Sequence, residues 1–162
     1  MTMLGFLSIT GTEQGVIQGG STHEDNLDDI EILKLDHQVE IPSGSKTQLS
    51  AGQPIHGGIK INKIIDKSTP KLAQALCTRE VLSEVSIAYY QHTQSGTREL
   101  AYKIVLKNAL ITKITSWTPH FFETQEEQYR LMEDVVLSYE KILWSWGSEG
   151  DVEYEVSSKG TE

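Results

Sequence analysis

The chain has 162 residues, 38% hydrophobic and 23% charged, so it is long enough to bury one sizeable core and has an ordinary soluble composition. Acidic residues outnumber basic ones by 23 to 14, and the net charge of −9 argues against a nucleic-acid partner. The single cysteine, Cys77, excludes an internal disulfide, and no stretch is long and apolar enough to cross a membrane.

The N-terminal segment predicts two strands and carries no targeting signal. Residues 1–10, MTMLGFLSIT, lack the basic start and sustained apolar run of a secretory signal, so we expect synthesis and folding in the cytosol. Residues 4–10 predict a first strand, and a turn at 11–15 separates it from a short strand that begins at Val16. The polar residues 21–29 predict a loop.

Residues 31–41, EILKLDHQVEI, alternate between apolar and polar side chains and predict a long, half-buried strand. Pro42 ends this strand because it cannot donate to a ladder. The side chains expected to face the core are Leu33, Leu35, His37, Val39 and Ile41.

The next segment contains a long polar loop, a strand and the helix. Residues 43–54, SGSKTQLSAGQP, have no apolar period, and a loop of this length in a compact domain is usually functional. Residues 55–66 alternate again, and the pair Gly57-Gly58 indicates a bulge or a close backbone approach. Residues 68–78 then predict a helix, because Ser68 or Thr69 is a suitable N-cap with Pro70 behind it.

The second half of the chain predicts further strands. Residues 81–91 and 99–107 read as strands joined by a turn, and Asn108 marks a kink before another strand at 109–117. Residues 130–146 predict one last long strand. The sequence therefore predicts a domain over residues 1–147 and an acidic, flexible tail over 148–162.

This succession of strands with one helix predicts an all-β, mainly antiparallel fold, either a sandwich or a barrel. Its many strand edges must close on themselves or be covered by another chain.

No motif predicts a catalytic, cofactor or metal site. The five histidines form no metal-binding spacing, and we expect His37 to be a hydrogen-bonded core residue. The acidic loop at 24–31 lacks the spacing of a calcium site, so its charges are expected to be solvated. Trp117, Trp144 and Trp146 are expected to be core or interface anchors, with a ligand platform as the alternative.

From about residue 4 to residue 146 the chain resembles the haemolysin co-regulated protein (Hcp) family of bacterial type VI secretion. The resemblance rests on the order of landmarks rather than on a catalytic signature. The clearest landmarks are the strand LDHQVEIP, the helix entry K-x-x-D-K-S-T-P-x-L and the terminal strand S-Y-x-K-I-x-W.

The resemblance implies a small β-barrel of two packed sheets with one short flanking helix. It also implies homo-hexameric rings that stack into a tube, which a contractile sheath drives out of the cell with a spike at its tip. Some members bind effector proteins inside the ring. Export without a cleavable signal peptide, no membrane insertion, no cofactor and no enzymatic activity follow from the same resemblance.

The loop at 43–54 matches the extended loop of the family, which reaches toward a neighbouring subunit or ring. Leu49 is the apolar side chain expected to fill a neighbour's pocket. The interface residues predicted in this way are Ser43, Gly44, Lys46, Gln48, Leu49 and Gln53.

The alternative hypothesis is a monomeric β-barrel that binds a ligand or acts as a hydrolase, with a pocket lined by the tryptophans and His37. It requires a deep apolar cavity with convergent polar groups.

Overall fold

The computed structural model describes residues 3–42, 52–120, 122 and 130–159. The described strands are β1 (Leu4–Gly11), β2 (Gly15–Ile17), β3 (Ile30–Asp36), β4 (Val39–Glu40), β5 (Ile55–His56), β6 (Ile59–Ile64), β7 (Leu82–His92), β8 (Arg98–Trp117), β9 (Met132–Ser138), β10 (Lys141–Trp146) and β11 (Val152–Ser157). The helix α1 spans Thr69–Thr78, and a short 3₁₀ turn spans Glu24–Asn26.

Six strands form a closed ring in the order β8, β7, β1, β3, β6 and β9, and pairing between β9 and β8 completes the circle. Strands β10 and β11 extend the sheet from β8, while β2 pairs with β1. A separate two-stranded ladder joins β4 to β5. All these pairings are antiparallel, which confirms the predicted all-β, mainly antiparallel class with one helix.

The longest strand, β8, bends at Asn108 and changes partners there. Its first half pairs with β7 and β10, and its second half pairs with β9. Asn108 has a φ of 50°, a left-handed conformation that asparagine tolerates better than most residues. Its side chain donates to the carboxylate of Glu140 at 3.1 Å, in the turn between β9 and β10. The predicted kink therefore occurs within one continuous strand.

The predicted single strand over 130–146 is wrong. The chain runs beside β8 as two strands, β9 and β10, separated by Tyr139 and Glu140. This break lies opposite the bend at Asn108, so β8 and the β9–β10 segment turn at the same place. The sequence does not reveal this break, because the alternation of inward-facing apolar residues resumes after the turn at Tyr139 and Glu140.

The inner face of the ring is packed with aliphatic side chains, and α1 closes it by packing against β8. Leu72 and Ala75 of α1 are buried. The cluster is continuous across the ring strands and includes Leu7, Ile9, Ile30, Ile59, Ile61, Val85, Ile87, Ile104, Leu106, Val135 and Leu137.

The predicted inward face of residues 31–41 is only partly correct. Ile30 and Ile32 are buried, whereas Leu33 is exposed. A register shift between Ile32 and Lys34 in the pairing with β6 reverses the alternation, and Leu35 then packs on the core. The strand ends at Asp36, and Val39 belongs to the separate ladder β4–β5.

The described residues after Gly147 contain a strand, whereas the sequence predicts a flexible tail there. Residues Val152–Ser157 form β11, which pairs along the full length of β10. The segment VEYEV alternates with a period of two, a strand signal that its acidic surroundings obscured. The sheet therefore continues beyond the predicted domain boundary at 147.

A candidate assembly surface

The two ends of the predicted interface loop meet at the ladder of β4 and β5. Val39 pairs with His56 and Glu40 with Ile55, so this ladder is the stem from which the loop extends. Of the predicted interface residues, Gln53 lies next to the stem and is exposed. The others, at positions 43–49, lie outside the described residues and remain predictions. They are Ser43, Gly44, Lys46, Gln48 and Leu49.

The stem carries apolar side chains that the described part of the chain leaves exposed. Val39, Ile41 and Ile55 are between 41% and 56% exposed. Single exposed apolar residues are common, but three on a stem of a few residues make it a candidate contact surface.

Two histidines attach the stem to the corner between β9 and β10. His37 Nε2 lies 2.9 Å from the hydroxyl of Tyr139, and His56 Nδ1 lies 2.7 Å from the same hydroxyl. Both imidazoles also contact the indole of Trp144, with ring centroids 6.2 and 6.5 Å apart. The expected hydrogen bond of His37 is present, but the ring is half-buried beneath the stem rather than in the core.

Burial governs the ionisation of this cluster. It lowers the pKa of His37, and the neighbouring His56 lowers it further. It also raises the pKa of Tyr139 to about 12, so the phenol stays protonated at any physiological pH. His37 could be singled out from the alternation of its segment, whereas His56 and Tyr139 could not, because no spacing in the sequence brings these residues together.

Strand β11 also contacts Trp144. The ring of Tyr154 stacks on Trp144 at 6.0 Å and an angle of 9° between the planes. Within the part of the chain that the structure describes, the outer edge of β11 has no strand beside it. Tyr154, Val152 and Trp146 are all more than half exposed. We call the stem (39–41 and 55–56) and β11 together the assembly surface.

The three tryptophans do not form one ligand platform. Trp144 lies in the histidine cluster, whereas Trp146 packs against Tyr102 with centroids 6.4 Å apart. Trp117 lies beside a separate shallow depression whose other residues are Lys34, Asp36, Lys60, Asn62 and Asp134. The pocket of tryptophans and His37 that the alternative hypothesis requires is therefore not assembled by these residues.

Neither a metal-ligand cluster nor a membrane-spanning helix occurs among the described residues. Among residues 3–42, 52–120, 122 and 130–159, no three histidine, cysteine or acidic side chains are grouped to hold a metal ion. The helix present in this part of the chain is too short and polar to span a membrane. Cys77 is a free thiol on the exposed face of α1.

Comparison with known proteins gives consistent relatives. A family model described as "Type VI secretion system effector, Hcp" matches residues 6–146. The "Major exported protein" of Pseudomonas aeruginosa is 32% identical over 149 residues, which are 86% of this chain and 87% of that protein.

Solved structures share the fold. The secreted protein Hcp3 from Pseudomonas aeruginosa superposes with a TM-score of 0.74 and 30% identity, over 96% of this chain and 98% of that one. A crystal structure of an Hcp protein superposes with a TM-score of 0.86 and 24% identity, over 99% and 100% of the two chains.

Proposed function

Because the chain belongs to the Hcp family of type VI secretion system proteins, we propose that it is a structural subunit of the tube of that system. In this proposal six copies close into a ring through one repeated contact, and a different pair of surfaces stacks the rings. The match of the family model to residues 6–146 is the main support for the proposal, because it extends over the strands of the ring rather than over one motif.

The assembly surface supports the proposal from within the chain. The ring of strands closes on itself, yet among the described residues the outer edge of β11 has no strand beside it and the stem has exposed apolar side chains. An open edge flanked by exposed aromatic and aliphatic side chains is a typical protein-binding surface. A second copy of the chain is the occupant that a ring requires.

Export and partners follow from the same proposal. The Pseudomonas relative is named as an exported protein, and we infer that this chain also leaves the cell through the secretion machine. The spike, the contractile sheath and effector proteins held in the ring are the partners. In this proposal the secretion machine transports the chain, and the chain catalyses no reaction. Its function is structural and needs no catalytic group.

The predicted loop gives the direct test of stacking. Deleting residues 45–52, or changing Leu49→Asp, is expected to reduce tube or ring assembly while the monomer still folds, because the apolar contact of the loop is lost. Gln94→Asp, which places the same charge in the exposed turn between β7 and β8, is the matched control. Negative-stain microscopy and circular dichroism measure assembly and folding. Unchanged assembly in both loop variants would mean that the loop has another role.

A further inference from the structure

The attachment of the stem to the body depends on one hydroxyl shared by two imidazoles. Tyr139 lies 2.9 Å from His37 Nε2 and 2.7 Å from His56 Nδ1. His37 precedes β4 and His56 belongs to β5, so both sides of the stem are held at the same point. Tyr139 occupies the turn between β9 and β10, where its ring is almost entirely buried.

The hydrogen bonds of His37, His56 and Tyr139 can accommodate one added proton but not two. When both imidazoles are neutral, the hydroxyl donates to one ring and accepts from the other. When one imidazole gains a proton, it becomes the donor, and the hydroxyl still donates to the remaining neutral ring. A second proton removes the last acceptor, because both imidazolium rings can only donate. Two positive charges then lie within hydrogen-bond distance of the same oxygen.

The surroundings make the second proton unfavourable. Both rings lie over the indole of Trp144, and burial together with the charge of His56 lowers the pKa of His37. No carboxylate of the described residues is paired with either imidazole: Asp36 pairs with Lys34, and Glu140 accepts from Asn108. The other titratable side chains on the elements around the cluster are Glu40 of β4 and Lys141 of β10, and Tyr154 of β11 stacks on Trp144.

Little else in the described chain holds the stem. The ladder β4–β5 consists of two residue pairs, extended by one hydrogen bond from Gly57 N–H to the carbonyl of Gln38 at 2.8 Å. A two-stranded hairpin this short is not stable alone in water. Its position therefore depends on what its side chains bind on the body of the protein.

We propose that His37, His56 and Tyr139 form a proton-operated latch. The latch holds the β4–β5 stem against the β9–β10 corner near neutral pH and releases it when both imidazoles are charged. The sign follows from linkage: a group that binds protons less readily in the closed state than in the open one favours opening as the pH falls. Release begins below about pH 6.5, the ordinary value for histidine.

Hydrogen–deuterium exchange of the full chain tests the latch directly. After correction for intrinsic rates, peptides spanning 37–41 and 55–57 are expected to lose about tenfold protection between about pH 7.5 and about pH 5. Peptides from β7, which lies in the closed ring, report whether the whole fold is affected and are expected to keep their protection.

Variants separate the latch from general acid sensitivity. His37→Gln and His56→Asn keep a polar atom near Nε2 and Nδ1 respectively but do not titrate, so the double variant is expected to lose the pH dependence. Tyr139→Phe removes the shared oxygen and is expected to leave the stem unprotected at both pH values. His92→Gln, at the exposed end of β7, is the control that changes a histidine outside the cluster.

Two results overturn the latch. One is equal protection of the stem at both pH values in the unmodified chain. The other is a pH dependence that survives in the double variant. Because these readouts come from the stem of a single chain, they are independent of whether the chain forms rings. If the stem also contributes to ring assembly as proposed above, acid should weaken assembly in the unmodified chain more than in the double variant.

Discussion

Lys63 and Glu133 form an ion pair in which both side chains are withdrawn from water, with 1% and 0% of their surfaces exposed. Lys63 on β6 also reaches Asp66 at 3.2 Å, and the hydroxyl of Thr69 donates to Glu133 at 2.8 Å. The pair therefore connects two ring strands to the first turn of α1. The second carboxylate oxygen of Glu133 is buried without a hydrogen bond in the described chain, so its desolvation is only partly offset.

Removing one partner of this pair should be far worse than removing both. Glu133→Ala leaves the Lys63 charge buried without its main partner, and we expect a loss of about 3–5 kcal/mol in the free energy of unfolding. The double variant Lys63→Met/Glu133→Leu is expected to recover most of this loss, because no charge then remains to be desolvated. Urea denaturation measures both.

The exposed pair of Lys34 and Asp36 is the matched control for that series. Its side chains are 70% and 57% exposed at a separation of 3.4 Å, so Lys34→Met is expected to change stability by less than about 1 kcal/mol. A comparable loss at both pairs would show that burial does not determine the energetics of the Lys63–Glu133 pair.

Asp66 should make the fold sensitive to strong acid. Burial by itself raises the pKa of this carboxyl, but hydrogen bonds from Ser68 and Gly20 and the charge of Lys63 outweigh it and lower the pKa. A carboxyl with a lowered pKa stabilises the fold above about pH 4 and loses that contribution as the pH falls further. Asp66→Asn is therefore expected to be less stable at neutral pH.

The measurement for Asp66 is the urea midpoint at several pH values from neutral to about pH 3. The midpoint of the unmodified chain should fall more steeply on the acid side than that of the Asp66→Asn variant. If the urea midpoints of the two proteins fall equally steeply with decreasing pH, Asp66 is not a source of the pH dependence.

The bend in β8 should depend on the residue at 108. A φ of 50° is unfavourable for a branched side chain, so Asn108→Val is expected to cost about 1–2 kcal/mol in unfolding free energy, in addition to the lost contact with Glu140. Asn108→Gly keeps the backbone conformation accessible and should lose less. Ser116→Val, at an exposed position of the same strand without a positive φ, controls for adding a β-branched residue. Equal costs for valine and glycine at 108 would contradict this reading of the bend.

Gly19 should not tolerate any side chain. A Cβ placed there would lie 2.6 Å from the carbonyl oxygen of Asp29 and 2.7 Å from the Cα of Ile30, and neither backbone atom can easily move. Gly52 has open space within 4 Å, so Gly52→Ala is the matched control. Thermal unfolding should show a clearly lower Tm for Gly19→Ala and little change for Gly52→Ala.

The sequence predicted those elements whose pattern is local. The helix predicted from Pro70 is present at Thr69–Thr78, although Ser68 at its N-cap makes no side-chain cap hydrogen bond. The turn predicted between the strands at 81–91 and 99–107 is present at 93–97, with Gly96 at a positive φ. The close approach indicated by Gly57 is also present, since a Cβ there would lie 3.0 Å from the carbonyl of Gln38.

Features that depend on distant partners could not be predicted in this way. The bulge after Ile32 inverts the faces of β3 because of its register with β6, which no local period records. The histidine cluster joins positions 37, 56 and 139, and only the closed ring brings them together. The family resemblance, by contrast, identified the family correctly, because the order of the landmark strands along the chain does not depend on the register of one strand or on distant side-chain contacts.

The most direct test of the central proposal is the mass of the unmodified protein in native buffer, measured by native mass spectrometry or light scattering and paired with negative-stain images. The proposal predicts a species of six chains that appears as rings with a central hole. A strictly single-chain species at high concentration, with no annular particles, would contradict the proposal that this chain builds a secretion tube.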